Sequence, residues 1–417
     1  MIAISNFKIK KSRDFLFSVN TKLNSSLKIA LISPEFPPFS LGGVSAVCRE
    51  LAEHLSRLGI STTVFCGRSS RISCEKVNKY LRIVRLPLLN LPPRHFWFQV
   101  QNLSIMLDLL KEFDVIHSVD TRASAFLAYL KKHIKRPFIT HVHGCGHCET
   151  KTFLNSPISC WSLGEFVYTV LEYPLNEYLT NLSLRNSDHI VVCSKNRLNE
   201  MKRRNPEIDC NKVSIIYNGI DFDKIPKGNA SVEERKNSVL FWGRLYYNKG
   251  IIHLIKAMSM VKKNIPDVTL DLCGKGPLEA KIRSLVFKLN LEENVRIHGY
   301  VDDEVLSNKI KYASIIALPS LYEGQPIAAL EAMAYKKPLI MYDFPFAREY
   351  LINWYNGLLA DRGNIKDLAD KIELCLTDKK LRLKLGKNAY EHVKKNHNWS
   401  ILVQKYVELY NNIARRD

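Results

Sequence analysis

The sequence predicts an α/β protein made of two doubly wound parallel-sheet domains. Short apolar segments alternate with amphipathic helical segments, and the alternation starts again after a polar, turn-rich segment at residues 212–236. Continuous apolar strands separated by helices are typical of parallel sheets that are covered on both faces. A length of 417 residues also exceeds one ordinary hydrophobic core, so more than one domain is expected.

The first series of elements begins with the apolar strand "LKIALIS" at residues 27–33. A loop follows, and then the helix "GVSAVCRELAEHLSRLG", whose apolar side chains recur at helical spacing up to Gly59. Further strands are predicted at 61–66, 114–119, 137–143 and 188–194, with a helix near 121–132 and a long aromatic-rich helix that Pro174 interrupts.

The second series contains strands predicted at 238–243, 268–274, 294–299, 313–320 and 337–343, with helices between them. The last helix, "SILVQKYVELYNNIARR", has no strand after it, and we expect it to cross back to the first domain. The predicted organisation is a basic N-terminal extension at 1–26, an N-terminal domain at 27–210, a C-terminal domain at 211–396 and the returning helix at 397–417.

The chain carries a net charge of +20, from 61 basic and 41 acidic residues. Residues 1–205 hold 28 of the basic and 15 of the acidic residues, so most of the excess lies in the N-terminal half. A basic surface favours anionic partners such as phosphorylated ligands or acidic lipid head groups. Nucleic acid is not expected, because no nucleic-acid-binding motif is recognised.

No apolar run reaches the roughly 18 to 20 residues that a membrane-spanning helix needs. The basic cluster of the N-terminus follows a very short apolar run, which is the reverse of a signal peptide, so we expect a cytoplasmic protein. The stretch "RHFWFQVQNLSIMLDLL" at 94–110 has two interpretations, a peripheral contact with an anionic membrane surface or a helix packed in the core. Core packing is the favoured one.

Ligands of doubly wound sheets bind where strands end, so the loops after strands supply the candidate site residues. Gly42 and Gly43 follow the first strand and open a helix, where free backbone N–H groups suit a phosphate. In "GRLYYNKG", Arg244 offers a planar fork and Lys249 a point charge, which together suit a diphosphate. Each of these features is also common in loops that have no ligand.

Two later loops add further candidates. In "GKGP", Gly274 and Gly276 either let a nucleotide approach the backbone or form a tight turn. In "EGQPIAALEAMA", the carboxylates of Glu323 and Glu331 are separated by seven residues. Gly324, Gln325 and Pro326 lie between them at a predicted helix start, with Pro326 near the first helical position.

Together these segments resemble glycosyltransferase family 4, the retaining nucleotide-sugar enzymes of the GT-B fold. The resemblance covers roughly residues 27–412 and rests on the glycine pair, "THVHG", "VVCS", "YNGID", "GRLYYNKG", "GKGP" and E-x(7)-E. It implies two Rossmann-like domains that face a central cleft, a nucleotide-diphosphate sugar as donor, and a glycan or a lipid-linked molecule as acceptor. It also implies that the second domain binds the donor.

The resemblance assigns roles residue by residue. Arg244 and Lys249 match the diphosphate-binding pair, Glu331 the glutamate that binds the ribose hydroxyls, Glu323 the glutamate near the donor sugar, His143 a histidine close to that sugar, and Gly43 the glycine at the distal phosphate. Here Gln325-Pro326 replaces the Phe-Gly of the commoner form, which leaves the identity of the donor sugar open.

The resemblance also implies a mechanism, a front-face substitution in which the leaving diphosphate helps to deprotonate the incoming hydroxyl. The cationic side chains then stabilise the charge that grows on the diphosphate. We therefore expect no cofactor and no metal ion.

The stretch "HVHGCGHCET" allows two other interpretations. Cys145 and Cys148 form a C-x-x-C pair, and a zinc ion would need these cysteines, His143 and one more ligand. A dithiol redox centre normally lies in a compact thioredoxin-like domain, which the repeated α/β pattern leaves no room for. We favour loop cysteines without chemistry.

Two other functions fit the same architecture. One is a sugar-nucleotide epimerase, which the "GRLYYNKG" segment together with E-x(7)-E argues against. The other is a non-catalytic protein that binds a nucleotide sugar or a membrane surface. The sequence favours the transferase.

Overall fold

The computed structural model describes residues 27–39, 42–69, 71–89, 91–144, 146–161, 163–226, 234–324 and 326–415. The predicted N-terminal extension at 1–26, Cys145 and Gln325 lie outside the described residues.

Strands and helices alternate through the described part of the chain. The strands are β1 (Lys28–Ile32), β2 (Ser61–Ser69), β3 (Ser73–Lys76), β4 (Leu81–Pro87), β5 (Val115–Ser118), β6 (Phe138–Val142), β7 (His189–Val192), β8 (Val213–Ile215), β9 (Ser238–Trp242), β10 (Thr269–Cys273), β11 (Val295–Gly299), β12 (Ile315–Leu318), β13 (Leu339–Tyr342) and β14 (Leu358–Ala360). The helices are α1 (Gly43–Arg57), α2 (Arg94–Leu109), α3 (Ala125–Tyr129), α4 (Gly146–Leu154), α5 (Leu163–Val167), α6 (Tyr173–Asn186), α7 (Lys195–Arg204), α8 (Ile251–Asn264), α9 (Glu279–Lys288), α10 (Asp303–Tyr312), α11 (Ile327–Ala334), α12 (Ile365–Thr377), α13 (Lys379–Asn396) and α14 (Trp399–Ala414).

The chain divides into two compact units. The first comprises the residues up to His143, Pro174–Tyr217 and the C-terminal residues from Trp399, and the second comprises Gly144–Tyr173 and Asn218–Asn398. The segment 144–173 groups with the second unit, whereas the sequence places it in the N-terminal domain. Packing explains the grouping, because Cys160 is buried in the core of the second unit and Cys148 packs against that core.

The first unit is built on an eight-stranded sheet with the order β3-β4-β2-β1-β5-β6-β7-β8. Neighbouring strands are parallel except β3, which is antiparallel to β4. The sequence did not predict β3, β4 or β8. β3 is mostly exposed and β8 is only half-buried, so neither shows the continuous apolar run of a central strand.

The C-terminal helix α14 belongs to the first unit, as the sequence predicts. The ring of Trp399 stacks on His54 of α1, with 5.7 Å between the ring centroids. The hydroxyl of Tyr410 lies 2.6 Å from Nδ1 of His117 on β5. Trp399, Tyr406 and Tyr410 are all fully buried, so this helix forms part of the core.

The second unit is built on a six-stranded sheet with the order β11-β10-β9-β12-β13-β14. All its neighbouring strands are parallel. Counted within the unit, this order is 3-2-1-4-5-6, the arrangement of doubly wound dinucleotide-binding folds. The predicted fold class is therefore confirmed for both units.

Two helical predictions differ from the structure. A single π-helical turn at Tyr168–Glu172 joins α5 to α6, and the helix continues through Pro174. Since proline has no N–H, the wider turn absorbs the missing hydrogen bond without ending the helix. The helix predicted near 121–132 is only the short α3 between two 3₁₀ turns.

The amphipathic stretch at 94–110 forms α2, which buries Phe98, Met106 and Leu109 in the core of the first unit. One face of this helix is therefore packed in the core, which is the favoured interpretation of the stretch. Among the described helices, none has both the length and the apolar character needed to cross a bilayer.

Candidate active site

The strand order of the second sheet determines where its predicted site residues lie. The order changes direction between β9 and β12, which are neighbours, and loops at such a point diverge from the carboxyl ends of the strands to leave a crevice. Arg244 and Lys249 follow β9, and Glu323 follows β12. The structure therefore brings these three predicted residues to one edge of the second sheet.

Lys249 and Glu323 form an ion pair at this edge. The Lys249 Nζ atom contacts Oε1 of Glu323, and the side chains are only 17% and 14% exposed. The hydroxyl of Ser320 donates to the same carboxylate oxygen at 2.9 Å. Water has little access to this pair, so the attraction between the two charges is strong. The ammonium group is therefore held beside the carboxylate. Sequence reasoning did not predict that these two residues contact each other, nor a role for Ser320.

The two loops are also joined through their backbones. The N–H of Leu321 donates to the carbonyl of Asn248 at 2.7 Å. Gly250 adopts a φ of +69°, and a Cβ atom there would overlap the carbonyl of Pro319. Only glycine combines the left-handed conformation with so close an approach. The final glycine of "GRLYYNKG" thus fixes the distance between the loop of Lys249 and the loop of Glu323.

Arg244 is exposed, and its guanidinium group lies over the ring of Tyr246 at 5.1 Å from the centroid. Among the residues that the structure describes, no carboxylate pairs with Arg244. No described carboxylate therefore neutralises the charge of Arg244, whereas Lys249 already has an acidic partner. An exposed guanidinium fork and a fixed ammonium group in the same segment after β9 suit an anion with several oxygen atoms.

Glu331 lies on α11, and the indole Nε1 of Trp242 donates to its Oε2 at 3.1 Å. A carboxylate has about four acceptor positions, so this bond orients the group without using all of its capacity. Trp242 ends β9, and Lys249 lies in the loop that follows. One chain segment therefore fixes both carboxylates of the E-x(7)-E pattern. Pro326 is the residue before the helix, one position earlier than predicted, and Gly324 lies in the preceding loop.

Close backbone packing by itself explains why residues 274 and 276 are glycines. Gly274 has a φ of +147°, and a Cβ atom on it would overlap the carbonyl of Gly243. The N–H of Leu245 donates to the carbonyl of Lys275 at 3.0 Å. These glycines thus let the "GKGP" loop pack on the loop of Arg244. A contact of either glycine with a nucleotide stays a prediction.

In the first unit, His143 follows β6 and lies beside the end of β5, where its ring bonds to the backbone of Val119. Burial lowers the pKa of His143 to about 4, against the opposing effect of the nearby Asp120 carboxylate. The ring is therefore neutral at pH 7. Its Nε2 atom is buried and has no hydrogen-bond partner among the described residues.

Asp120 and Arg122 form a charged group near His143 that sequence reasoning missed. Asp120 accepts hydrogen bonds from the N–H and the Nε of Arg122 at 3.0 and 3.3 Å, and His95 Nδ1 lies 3.5 Å away. Burial would raise the pKa of Asp120, but Arg122 and His95 hold it below its usual range. The sequence does contain a signal for this charged group, because "DTR" directly follows the predicted strand "DVIHSV".

Gly43 is the first residue of α1 and Gly42 precedes it, so the predicted helix start is confirmed. Both glycines are exposed, and a Cβ atom on Gly42 would meet no neighbour within 4 Å. Their backbone is therefore accessible, although a contact with a phosphate stays a prediction.

The C-x-x-C pair is described only at Cys148, which is partly buried. Within the described part of 141–148, no three metal-ligating atoms come together. Because Cys145 lies outside the described residues, the absence of chemistry at this pair stays a prediction.

Two family models match adjacent parts of this chain. The model "Glycosyltransferase Family 4" matches residues 41–224, and the model "Glycosyl transferases group 1" matches residues 222–392. Each match corresponds approximately to one series of strands and helices.

Similar proteins agree with these matches. An uncharacterised glycosyltransferase of Methanocaldococcus jannaschii is 27% identical over 92% of this chain and 98% of its own length. The N,N'-diacetylbacillosaminyl-diphospho-undecaprenol alpha-1,3-N-acetylgalactosaminyltransferase of Campylobacter jejuni is 27% identical over 57% of this chain and 58% of its own length.

Solved structures share the fold. Sucrose-phosphate synthase from Thermosynechococcus elongatus has a TM-score of 0.76 at 24% identity, over 94% of this chain and all of that chain. Anabaena HepE, solved in complex with UDP-glucose, has a TM-score of 0.72 at 17% identity, over 93% of this chain and all of that chain.

Proposed function

Since this chain belongs to glycosyltransferase family 4 and has the GT-B fold, we propose that it moves a hexose-type sugar, with retention of configuration, from a nucleotide-diphosphate sugar to a glycan or lipid-linked acceptor. The observation that carries the proposal is the Lys249–Glu323 pair at the switch point of the second sheet, with the exposed Arg244 earlier in the same segment after β9. The structural neighbour solved with UDP-glucose supports a nucleotide sugar as donor.

The proposed reaction is a front-face substitution. The bond from the anomeric carbon to the leaving phosphate oxygen breaks, and the acceptor oxygen bonds to that carbon on the same face. The acceptor's proton passes to the departing diphosphate. Arg244 and Lys249 stabilise the negative charge that grows on this group, which is electrostatic preorganisation. No carboxylate acts as a nucleophile in this scheme.

The carboxylates have positioning roles in the proposal. Glu331, oriented by Trp242, accepts hydrogen bonds from the ribose hydroxyls of the donor. Glu323 holds Lys249 until the diphosphate arrives and then contacts the donor sugar. A role for His143 near the donor sugar is proposed from the family resemblance alone; its ring is neutral at pH 7.

We also propose that the acceptor is carried on a lipid at the cytoplasmic face of a membrane, as in polysaccharide or glycolipid synthesis. The Campylobacter relative is named for an undecaprenol-linked acceptor. Leu154, Ile158 and Leu171, in the segment 144–173, are 53%, 80% and 68% exposed. Exposed apolar side chains clustered in sequence support contact with a membrane or a lipid.

The direct test incubates the full chain with UDP-, GDP- and ADP-sugars and with soluble or polyprenyl-linked acceptors, and assigns the product's anomeric configuration by NMR. We expect one donor to give a product with the donor's configuration. An inverted product would contradict retention, an isomerised donor would indicate the epimerase, and tight binding without turnover would indicate a binding protein.

Metal independence is a separate proposal, because Arg244 and Lys249 supply the positive charge that a cation would otherwise bring. Activity should stay within about twofold after treatment with EDTA and removal of the chelator. A large loss that Mg²⁺ or Mn²⁺ restores would contradict it.

A further inference from the structure

The second unit contains a cavity of about 600 Å³ at the end of the sheet opposite to the loops of Arg244 and Lys249. Its lining includes Arg235 and Ser238, at the amino end of β9, and Lys309 and Tyr312 of α10. Its volume lies within the range of small-molecule sites, about 300–1,000 Å³. We propose that this cavity binds a small phosphate monoester at a site separate from the donor site.

The cationic wall is fixed by its backbone. The N–H of Arg235 donates to the carbonyl of Tyr312 at 2.8 Å. The carbonyl of Arg235 accepts from the hydroxyls of Ser238 and Ser314, at 2.6 and 2.7 Å. These bonds fix the backbone of Arg235, and the side chain is held by its bond to Asp271. Arg235 is therefore not a loosely attached surface arginine.

One carboxylate faces several positive groups inside the cavity. Asp271, in the middle of β10, is 7% exposed. Its Oδ2 lies 3.1 Å from Arg235 Nη1 and its Oδ1 lies 3.6 Å from Lys309 Nζ. The imidazole Nε2 of His298 contacts the same Oδ1 and lies 3.1 Å from Lys309 Nζ. Two permanent positive charges thus meet a single negative charge.

The other acidic residue of the lining has the same imbalance. Glu234 pairs with Lys337 at 3.3 Å and with Arg382 at 3.3 Å. The two carboxylates of the lining are therefore bonded to four permanent cations. Lys337 and Arg382 lie outside the cavity lining and neutralise Glu234 from behind it. The two cations of the lining therefore share one carboxylate and keep a positive charge for the anionic group of a phosphate monoester, which carries about −1.5 to −2 at pH 7. Arginine and lysine are also the side chains that bind phosphate most often.

Apolar surface completes the cavity. Val239 and Ala313 are buried in its wall, while Val305 and Tyr312 are 41% and 49% exposed at its edge. An aromatic ring at the edge can stack on a planar or sugar ring of the ligand. A site with a cationic end and an apolar edge fits a phosphate that carries an organic group better than inorganic phosphate alone.

The test is isothermal titration of the full chain with adenosine monophosphate and with inorganic phosphate. We expect one adenosine monophosphate per chain to bind in Lys249→Ala, in which the donor site is impaired. Lys309→Gln should weaken that binding at least tenfold, whereas Tyr312→Ala should weaken binding of the nucleotide but not of inorganic phosphate. Thermal unfolding of each variant should match that of the parent chain.

Lys311→Gln is the matched control, because it removes the same charge from the same helix outside the cavity lining. Equal weakening in Lys311→Gln and Lys309→Gln would overturn the proposal in favour of general attraction to a basic surface. Loss of binding in Lys249→Ala would place the nucleotide in the donor site, and no binding at millimolar concentrations would also overturn it. None of these outcomes tests the transferase proposal, which depends on other residues.

Discussion

Lys249 illustrates how far a single residue can be interpreted from sequence. Its position after a strand predicted a cation near a phosphate, and the structure places it at the switch point of the second sheet. The sequence did not predict that Glu323 would already neutralise it. Contacts between residues 74 positions apart depend on the strand order, which the local pattern does not determine.

We expect Lys249→Ala to lower kcat about 100-fold or more, roughly 3 kcal/mol, because charge on the leaving diphosphate loses a fixed cation. Glu331→Ala should instead act mainly on the KM of the donor. Steady-state kinetics with the identified donor measures both effects. Lys256→Ala, an exposed lysine on the following helix, is the control and should keep parental kinetics. Wild-type rates in Lys249→Ala would remove this residue from the mechanism.

Gly250→Ala should destabilise the chain more than Gly363→Ala. Both glycines have positive φ, +69° and +83°, so both substitutions meet about 1–2 kcal/mol of backbone strain. Only Gly250 also lies against a backbone carbonyl, while a Cβ atom on Gly363 would meet no atom within 4 Å. Urea unfolding of the two variants compares the free energies of unfolding. Equal losses would mean that the contact with Pro319 is unimportant.

At the scale of elements, β5, β6 and α14 meet in a buried cluster of aromatic rings. His117 stacks on His141 at 5.5 Å between centroids, and His141 lies 3.8 Å from His143. Tyr406 adds a ring 6.1 Å from His141. Neither ring nitrogen of His141 has a hydrogen-bond partner among the described residues. The sequence predicted these strands but could not predict that the last helix would cover their histidines.

This cluster predicts a loss of stability in mild acid. Burial lowers the pKa of His117 to about 3 and that of His143 to about 4, and it also lowers the pKa of His141. The unfolded chain takes up protons on these residues below about pH 6.5, whereas the folded chain does not until near pH 4. The free energy of unfolding should therefore fall with pH in this window, by about 1.4 kcal/mol per pH unit for each histidine.

His141→Phe should reduce the slope of the free energy of unfolding against pH by the contribution of one histidine, about 1.4 kcal/mol per pH unit. It should leave the free energy of unfolding at pH 7.5 unchanged or higher. Urea unfolding at several pH values between 7.5 and 4.5 measures the slope. His133→Phe removes an exposed histidine and serves as the control, which should leave the slope unchanged. A slope that His141→Phe does not alter would show that this residue is not buried as a neutral ring.

At the scale of the whole molecule, neither compact unit is continuous in sequence. The chain passes from one unit to the other after His143, Tyr173, Tyr217 and Asn398. The sequence indicated the last of these changes, because a terminal helix without a following strand has to pack elsewhere. It did not indicate the grouping of 144–173, since this depends on which core buries Cys160 and not on any local pattern.

A chain that ends at Asn398 should therefore fail to fold as the full chain does. It loses the fully buried rings of Trp399, Tyr406 and Tyr410, and each such loss costs about 3–5 kcal/mol against a total stability of about 5–15 kcal/mol. Soluble yield and circular dichroism on heating measure the effect. A chain that ends at Ala414 keeps the helix and should behave as the parent does. Equal midpoints for the two truncations would contradict the structural role of α14.

The hydrogen bond from Trp242 to Glu331 has a practical consequence for spectroscopy. An indole N–H that donates to a carboxylate has an emission that depends on the charge and hydration of its acceptor. Any molecule that attracts or dehydrates the Glu331 carboxylate should thus shift or quench the ultraviolet fluorescence of Trp242. Donor occupancy could then be followed without a label, with Trp242→Phe giving the background from the other four tryptophans of the chain.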